Sequence, residues 1–310
     1  MKNKLSFICI FILSSCATLD ISYPLCDFPE HSPFPGGVIS QTLRINAYEI
    51  NEIDINQKNI YFCQVDKDHW KILAPISLSE EIKPIDIVKN GQSILEVPIS
   101  NKAYRESKIT ITNQDLVSPP DEYLPRIKME AELGKVAIST LSGRFHTSLK
   151  MPLPTQGIKS SEFGVKRFIN NQPRNRHTGL DFAASIGTEI ISPLSGKVIL
   201  VGNFYYRGKT VFLDHGGGMI STYSHMSEVV VEQGQSLEKG DLIGAVGQSG
   251  RVTGPHLHWQ IILSGIPVDP ELFLKPSSWV SLNFRIIASS DSLVCGPIRT
   301  SLVTPSGSMM

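Results

Sequence analysis

Short runs in which apolar and polar residues alternate recur along most of the chain, and this two-residue period predicts β-strands. In the first half these runs are rich in β-branched side chains and separated by polar turns, at 38–45, 59–65, 70–75 and 108–112. In the second half glycines separate similar runs, at 196–202, 210–215, 219–223 and 259–263. The chain is therefore predicted to be mostly β, with an antiparallel second half.

One segment has helical spacing instead. Apolar residues in 125–141 recur every three to four positions at Met129, Leu133, Val136 and Leu141, and Pro125 suits a first helical turn. This helix is expected to link a small β-sandwich-like domain to a C-terminal antiparallel β-sheet domain. The full expected organisation is a signal peptide at 1–15, a Pro/Gly-rich tether at 16–37, the β-rich domain at 38–120, a helical linker at 121–151, the second β domain at 152–274 and a tail of unknown role at 275–310.

The first residues have the pattern of an export signal. A short cationic head precedes an apolar run at 5–13, which is too short to span a bilayer as a mature helix. Residues 13–16, Leu-Ser-Ser-Cys, resemble the lipobox of bacterial lipoproteins, which implies lipid attachment at Cys16 and a mature chain that begins there. Ala17 then favours the periplasmic face of the outer membrane. The alternative is an ordinary secretory signal in which Cys16 is incidental.

Composition narrows the function classes. The 310 residues include 29 basic and 29 acidic side chains, with no basic cluster, so nucleic-acid binding is not expected. Cys9 lies in the expected signal and Cys16 in the lipobox, which leaves Cys26, Cys63 and Cys295. Their spacing matches no disulfide framework, so buried or unpaired thiols are expected, and no catalytic thiol is assigned.

Histidines are concentrated in the second half, where five of the eight lie between His177 and His258. On a strand, His256 and His258 would project from the same face. His177 and Asp181 would reach the same place from a turn that leads into a strand. Three nitrogen and oxygen ligands with one open position are typical of catalytic zinc. The residues alone predict His177, Asp181 and one member of the His256/His258 pair as ligands.

Several motifs in 155–273 together resemble the lysostaphin and LytM type of zinc peptidoglycan endopeptidases. They are S-E-F-G-V-K-R at 161–167, H-x-x-x-D at 177–181, G-K-V at 196–198, Y-x-H at 223–225, the glycine-rich segment 240–250 and H-x-H at 256–258. The resemblance implies that His177, Asp181 and His258 hold one zinc ion per chain. It implies that His225 and His256 are unliganded catalytic imidazoles, although which accepts a proton and which stabilises the oxyanion stays open.

The resemblance also implies the reaction, which is hydrolysis of peptide crosslinks between peptidoglycan stem peptides during cell-wall remodelling, with a D,D-endopeptidase as the expected type. The bond is either a D-Ala–diaminopimelate crosslink or a glycine bridge. Arg251 could bind a substrate carboxylate or be a solvated loop charge. Two other functions remain open: a non-catalytic peptidoglycan-binding module or activator of another hydrolase, and a zinc peptidase that acts on proteins or free peptides.

Overall fold

The computed structural model describes residues 23, 25–55, 60–79, 81–110, 118–143 and 146–275. The predicted fold class is confirmed: the described chain is mostly β, with a large antiparallel sheet and one α-helix. The expected signal peptide, Cys16 and residues 276–310 of the expected tail lie outside the described residues. No helix in the described part of the chain combines the length and apolarity needed to cross a bilayer.

Two three-stranded antiparallel sheets build the N-terminal region. Their strands are β1 (Val38–Arg44), β2 (Ile53–Asp54), β3 (Tyr61–Gln64), β4 (His69–Pro75), β5 (Ile85–Lys89) and β6 (Gln92–Val97). One sheet has the order β1-β4-β3 and the other β2-β5-β6. Isoleucines such as Ile39, Ile72 and Ile87 fill the core between them. This arrangement is the sandwich-like domain that the alternating runs predict, although β5 and β6 were not among those runs.

The β1-β4-β3 sheet also packs on its other face. Ile39 and Ile72 belong to the N-terminal core, whereas their neighbours Val38 and Leu73 belong to the core of the C-terminal domain. Consecutive strand residues point to opposite faces, so this sheet is buried on both sides. The two domains therefore pack tightly against each other.

The segment before β1 differs from the expected tether. Cys26 and Phe28 are buried, and a disulfide joins Cys26 to Cys63 on β3. The expectation of buried or unpaired thiols is therefore wrong for this pair. The 37-residue separation carries no signature in the sequence, because only the packing of the segment against β3 brings the two Cα atoms to 5.8 Å.

The linker region contributes a strand and the helix. Strand β7 (Glu106–Ile109) covers part of the run predicted at 108–112, but it leaves the sandwich and pairs in parallel with β9 of the C-terminal domain. Helix α1 (Leu124–Ile138) buries Ala137 against Phe212, while Met129 and Val136 stay exposed. The helical spacing therefore predicted the element correctly but not the face that it buries.

The C-terminal domain is built around a ten-stranded, antiparallel sheet. The strands of this domain are β8 (Ile158–Ser161), β9 (Lys166–Ile169), β10 (Gln172–Pro173), β11 (Leu180–Ala183), β12 (Glu189–Ile191), β13 (Gly196–Phe204), β14 (Gly208–Gly216), β15 (Met219–Val229), β16 (Ser236–Leu237), β17 (Leu242–Val246), β18 (His256–Leu263) and β19 (Ile266–Val268). The main path runs β16-β13-β14-β15-β18-β11-β8, with β12, β17 and β19 paired at its side, while β9 and β10 form a small separate sheet with β7.

Candidate metal centre

Neighbouring strands β11 and β18 position the first residues of the site. Their antiparallel register places Asp181 directly opposite His258 and Ala183 opposite His256. His256 and His258 lie on one face of β18, as their spacing predicts, while Leu257 points the other way and is fully buried. The strand register therefore brings a carboxylate and two imidazoles to one place.

His177 precedes β11 and joins this group through a backbone pairing. Its N–H donates to the carbonyl of Val165, and its carbonyl accepts from the N–H of Gly164. Gly164 has a φ of +84°, a conformation that glycine adopts without strain. The S-E-F-G-V-K-R motif thus folds against the backbone of His177 and fixes the position of its imidazole.

Three ligand atoms converge in this arrangement. His177 Nε2 lies 2.8 Å from Asp181 Oδ1, His258 Nδ1 lies 2.7 Å from the same oxygen, and the two nitrogens are 3.0 Å apart. His177 and Asp181 are buried, and His258 is nearly so. Two imidazole nitrogens and a carboxylate oxygen are a donor set that zinc prefers.

The protonation of these groups fits a bound cation. His177 Nδ1 donates to the carbonyl of Glu162 at 2.7 Å, so in the neutral ring Nε2 presents a lone pair to Asp181. Burial opposes ionisation of Asp181, but its contacts with His177 and His258 outweigh burial and hold its pKa well below the usual range. Burial lowers the pKa of His258 to about 4, which keeps this imidazole neutral. A lone pair that faces a carboxylate is stabilised only by an added proton or a cation.

Two further imidazoles lie beside the triad. His225 and His256 are in ring contact, with centroids 4.8 Å apart, and His256 Nε2 is 3.9 Å from Asp181 Oδ1. His225 Nδ1 donates to the carbonyl of Ser249, and His256 Nδ1 donates to that of Gly254. Each neutral ring therefore keeps Nε2 free to accept a proton. In their neutral forms, His225 and His256 share the same tautomer, with the proton on Nδ1. The structure thus brings together all five predicted residues.

His225 combines a strained backbone conformation with a lowered pKa. Its φ of +66° is a left-handed conformation that side chains other than glycine rarely adopt, and such strain often marks functional sites. Burial lowers its pKa to about 3. The imidazole is therefore neutral at physiological pH.

Three supporting residues were not assigned roles from the sequence. Arg167 Nη2 donates to Asp181 Oδ2 at 2.7 Å, which leaves Oδ1 for the imidazoles. Gln260 follows His258 on the same face of β18 and donates from Nε2 to the carbonyl of Thr178. Arg207 Nη1 donates to Gln260 Oε1 at 2.7 Å. Arg167 lies in the S-E-F-G-V-K-R motif, a signal that could have identified it, whereas Arg207 and Gln260 lie in no motif.

The site opens into a cavity of about 1060 Å³. Strands β7 and β9 form one wall, and the loop 249–254 forms part of the rim. Arg251 of this loop lines the cavity with its guanidinium 4.3 Å from the ring centroid of Tyr206. The wall from β7 was not foreseen, because a strand of the linker forms it.

Comparison with known proteins places this geometry in a family. A solved structure from Pseudomonas aeruginosa, described as a peptidase M23, superposes with a TM-score of 0.60 and 30% identity over 78% of this chain and 94% of that one. The model of peptidase family M23 also matches residues 175–270. The chain belongs to peptidase family M23. The family-matched residues include the triad and both further imidazoles.

Two curated relatives each match part of this chain. The peptidoglycan DD-endopeptidase ShyA of Vibrio cholerae is 42% identical over 121 residues, which are 39% of this chain and 28% of ShyA. The DD-carboxypeptidase/endopeptidase Mpg of Neisseria meningitidis is 36% identical over 118 residues, which are 38% of this chain and 27% of Mpg. The match thus spans less than a third of the length of these relatives.

Proposed function

We propose that this M23 protein is a zinc-dependent endopeptidase that hydrolyses peptide crosslinks of peptidoglycan. The observation that carries the proposal is the convergence of an imidazole–carboxylate–imidazole triad with two further imidazoles in one cavity. His177, Asp181 and His258 would hold one zinc ion per chain. When bound, zinc supplies a Lewis acid that polarises the scissile carbonyl and lowers the pKa of a coordinated water.

The two remaining imidazoles would act as general base and general acid. Backbone carbonyls fix both Nδ1–H groups, so His225 and His256 each present an Nε2 lone pair that can accept the proton of the attacking water. The protonated ring can then donate to the leaving amine or to the oxyanion. The strained backbone of His225 and the short turn at Gly254 hold the rings in place before substrate binds.

Arg167 would keep the carboxylate ligand in position. Its bond to Asp181 Oδ2 prevents the carboxylate from rotating away from the two imidazoles. Arg251 at the cavity rim would bind a carboxylate of the stem peptide. The second function considered is a non-catalytic binding module or activator. All five site residues lie at the candidate metal centre, so the structure does not favour this function.

The names of these relatives support the substrate class, since ShyA is described as a peptidoglycan DD-endopeptidase and Mpg as a DD-carboxypeptidase/endopeptidase. The test is digestion of isolated sacculi by the purified chain, followed by mass spectrometry of the new termini. We expect crosslinked dimers to be cut, activity to be lost with a chelator and regained with zinc, and His177→Ala to be inactive. Release of no new peptide ends, despite one bound zinc per chain, would refute the endopeptidase and favour the binding module.

We further propose that the chain works in the cell envelope, tethered by lipid at Cys16 to the periplasmic face of the outer membrane. The lipobox-like sequence at 13–16 supports this proposal. Mass spectrometry of the mature N-terminus should find a diacylglyceryl group on Cys16, and Cys16→Ser should release the protein from the membrane fraction. An unmodified N-terminus at another residue would contradict the anchor.

A further inference from the structure

The cavity beside the candidate metal centre has an unbalanced charge. Six arginines line it, and Asp181 is the only acidic side chain among the described residues that do so. The six are Arg105, Arg167, Arg174, Arg176, Arg207 and Arg251. Arg105 forms an ion pair with Glu162, and Arg167 forms one with Asp181. The chain as a whole is neutral, so this excess of positive charge is local.

Arg207 is the most unusual of these arginines, because the residue is half-buried and the surroundings of its guanidinium disfavour the charge. Burial lowers its pKa, yet a guanidinium keeps its proton at neutral pH. Its described contacts are the amide oxygen of Gln260 and the ring of Phe212, and among the described residues no carboxylate forms an ion pair with it. Burying a cation without a counter-charge is costly. An anionic group of the substrate would offset that cost.

The environment of Arg207 directs it towards the reacting groups. Gln260 Nε2 donates to the carbonyl of Thr178, so Oε1 must face Arg207. Thr178 adjoins His177, and the carbonyl of Arg207 accepts the N–H of His225 at 2.9 Å. Hydrogen bonds thus link the Arg207 side chain, through Gln260, to the residue after His177, and link its backbone to His225.

Two more arginines extend the same wall. Arg174 and Arg167 line the same cavity as Arg251, and burial together with their positive charges lowers the pKa of Arg251. Arg174 Nη2 donates to Gln172 Oε1, and Arg251 stacks over Tyr206. Positive charge concentrated in a cleft with low-dielectric walls attracts anionic ligands.

We propose that Arg207 and Arg251, with Arg174 beside them, form a subsite that binds a free carboxylate on the residue next to the scissile bond. This inference rests on the proposed endopeptidase function and deepens it, because it selects one of the two substrate types left open. A D-Ala–diaminopimelate crosslink carries a free carboxylate at that position, whereas the interior of a glycine bridge carries none. Arg207 is then a specificity-determining residue.

The decisive experiment compares two substrates that differ in one group. Crosslinked muropeptide dimers with free diaminopimelate carboxylates are digested beside dimers in which those carboxylates are amidated, and kcat/KM is measured for each. The wild-type chain should prefer the acid by about ten- to a hundredfold, as expected for a charge-assisted contact replaced by a neutral one. Added salt should raise KM for the acid more than for the amide.

Variants then locate the subsite. Arg207→Gln should reduce the acid-to-amide ratio towards one, mainly by slowing cleavage of the acid, and Arg207→Lys should recover part of the preference. Arg251→Gln, in a rim loop, should lower the ratio less. Arg44→Gln is the matched control, because Arg44 is exposed on β1 and does not line the cavity. Its ratio should equal that of the wild type.

Each outcome separates this inference from the proposed function. Equal cleavage of acid and amide by the wild type overturns the carboxylate subsite while the endopeptidase stands, and this comparison needs no variant to fold. Cleavage of neither dimer refutes the endopeptidase itself. If Arg207→Gln lowered kcat/KM equally for the acid and the amide, Arg207 would act by positioning Gln260. That result would also overturn the subsite.

Discussion

Replacement of Gly179 by alanine tests whether the close approach of two strands holds the metal centre together. Gly179 immediately precedes β11 and faces β18. A methyl group there would lie 2.4 Å from the carbonyl oxygen of Trp259 and 2.8 Å from Cε1 of His258. Both distances are shorter than van der Waals contact, and the Trp259 oxygen belongs to the backbone, so it cannot rotate away.

The strands must therefore separate or the imidazole must move. Overpacking of this kind costs about 1–3 kcal/mol of stability. A shift of the His258 ring would also weaken zinc binding, by about ten- to a hundredfold if it resembles the loss of a residue that supports a ligand. Urea unfolding measures the first effect, and zinc competition with a fluorescent chelator measures the second.

Gly143→Ala is the matched control for this substitution. A methyl group at Gly143 meets nothing within 4 Å, and its φ lies outside the left-handed region. We expect its stability to stay within about 0.5 kcal/mol of the wild type. If Gly179→Ala matched the control in both stability and zinc affinity, the reasoning that β11 and β18 require a glycine at this approach would be refuted.

Three further predictions concern other parts of the molecule. His256→Ala should keep bound zinc but lower kcat by about 10²–10⁴-fold, as expected for loss of a general acid or base, and loss of the metal would contradict this. Burial lowers the pKa of His215 to about 4 in the folded chain. Between pH 6.5 and 4 the unfolded chain therefore binds a proton that the folded chain does not, and the free energy of unfolding should fall by up to about 3 kcal/mol as the pH is lowered over this range. His215→Gln should show a shallower loss on urea unfolding over that range, and an unchanged slope would rule out the buried imidazole as its source. Reduction of Cys26–Cys63, which closes a separation of 37 residues, should lower the free energy of unfolding by about 4 kcal/mol. A Cys26→Ser/Cys63→Ser variant should be insensitive to reductant, and equal sensitivity would contradict the pairing.

The His215 prediction has a clear structural basis. His215 Nδ1 donates to the carbonyl of Ser195, and Nε2 lies 2.7 Å from Ser221 Oγ, which donates to Tyr223 Oη. A second proton on this ring would place a positive charge in a fully buried site. The structure therefore places His215 in a hydrogen-bonded core network rather than in the candidate metal centre.

Local chemistry determined much of the candidate site from the sequence alone. His256 and His258 share a face because side chains alternate along any strand, whatever its partners. Motifs such as H-x-x-x-D and S-E-F-G-V-K-R carry their spacing in the chain itself. The mostly β class likewise follows from a two-residue period, which is a property of neighbouring positions.

Tertiary structure decided the features that depend on distant segments. The pairing of Asp181 with His258 follows from the register of two strands more than seventy residues apart, and the Cys26–Cys63 disulfide and the parallel pairing of β7 follow from packing over comparable distances. Arg207 illustrates the same limit for chemistry, since an arginine in a hairpin is usually solvated. Its charge becomes significant only because folding half-buries it beside His225, with no carboxylate partner in the part of the chain that the structure describes. A sequence specifies which side chains are available, but long-range contacts set their solvation and neighbours, and these determine their reactivity.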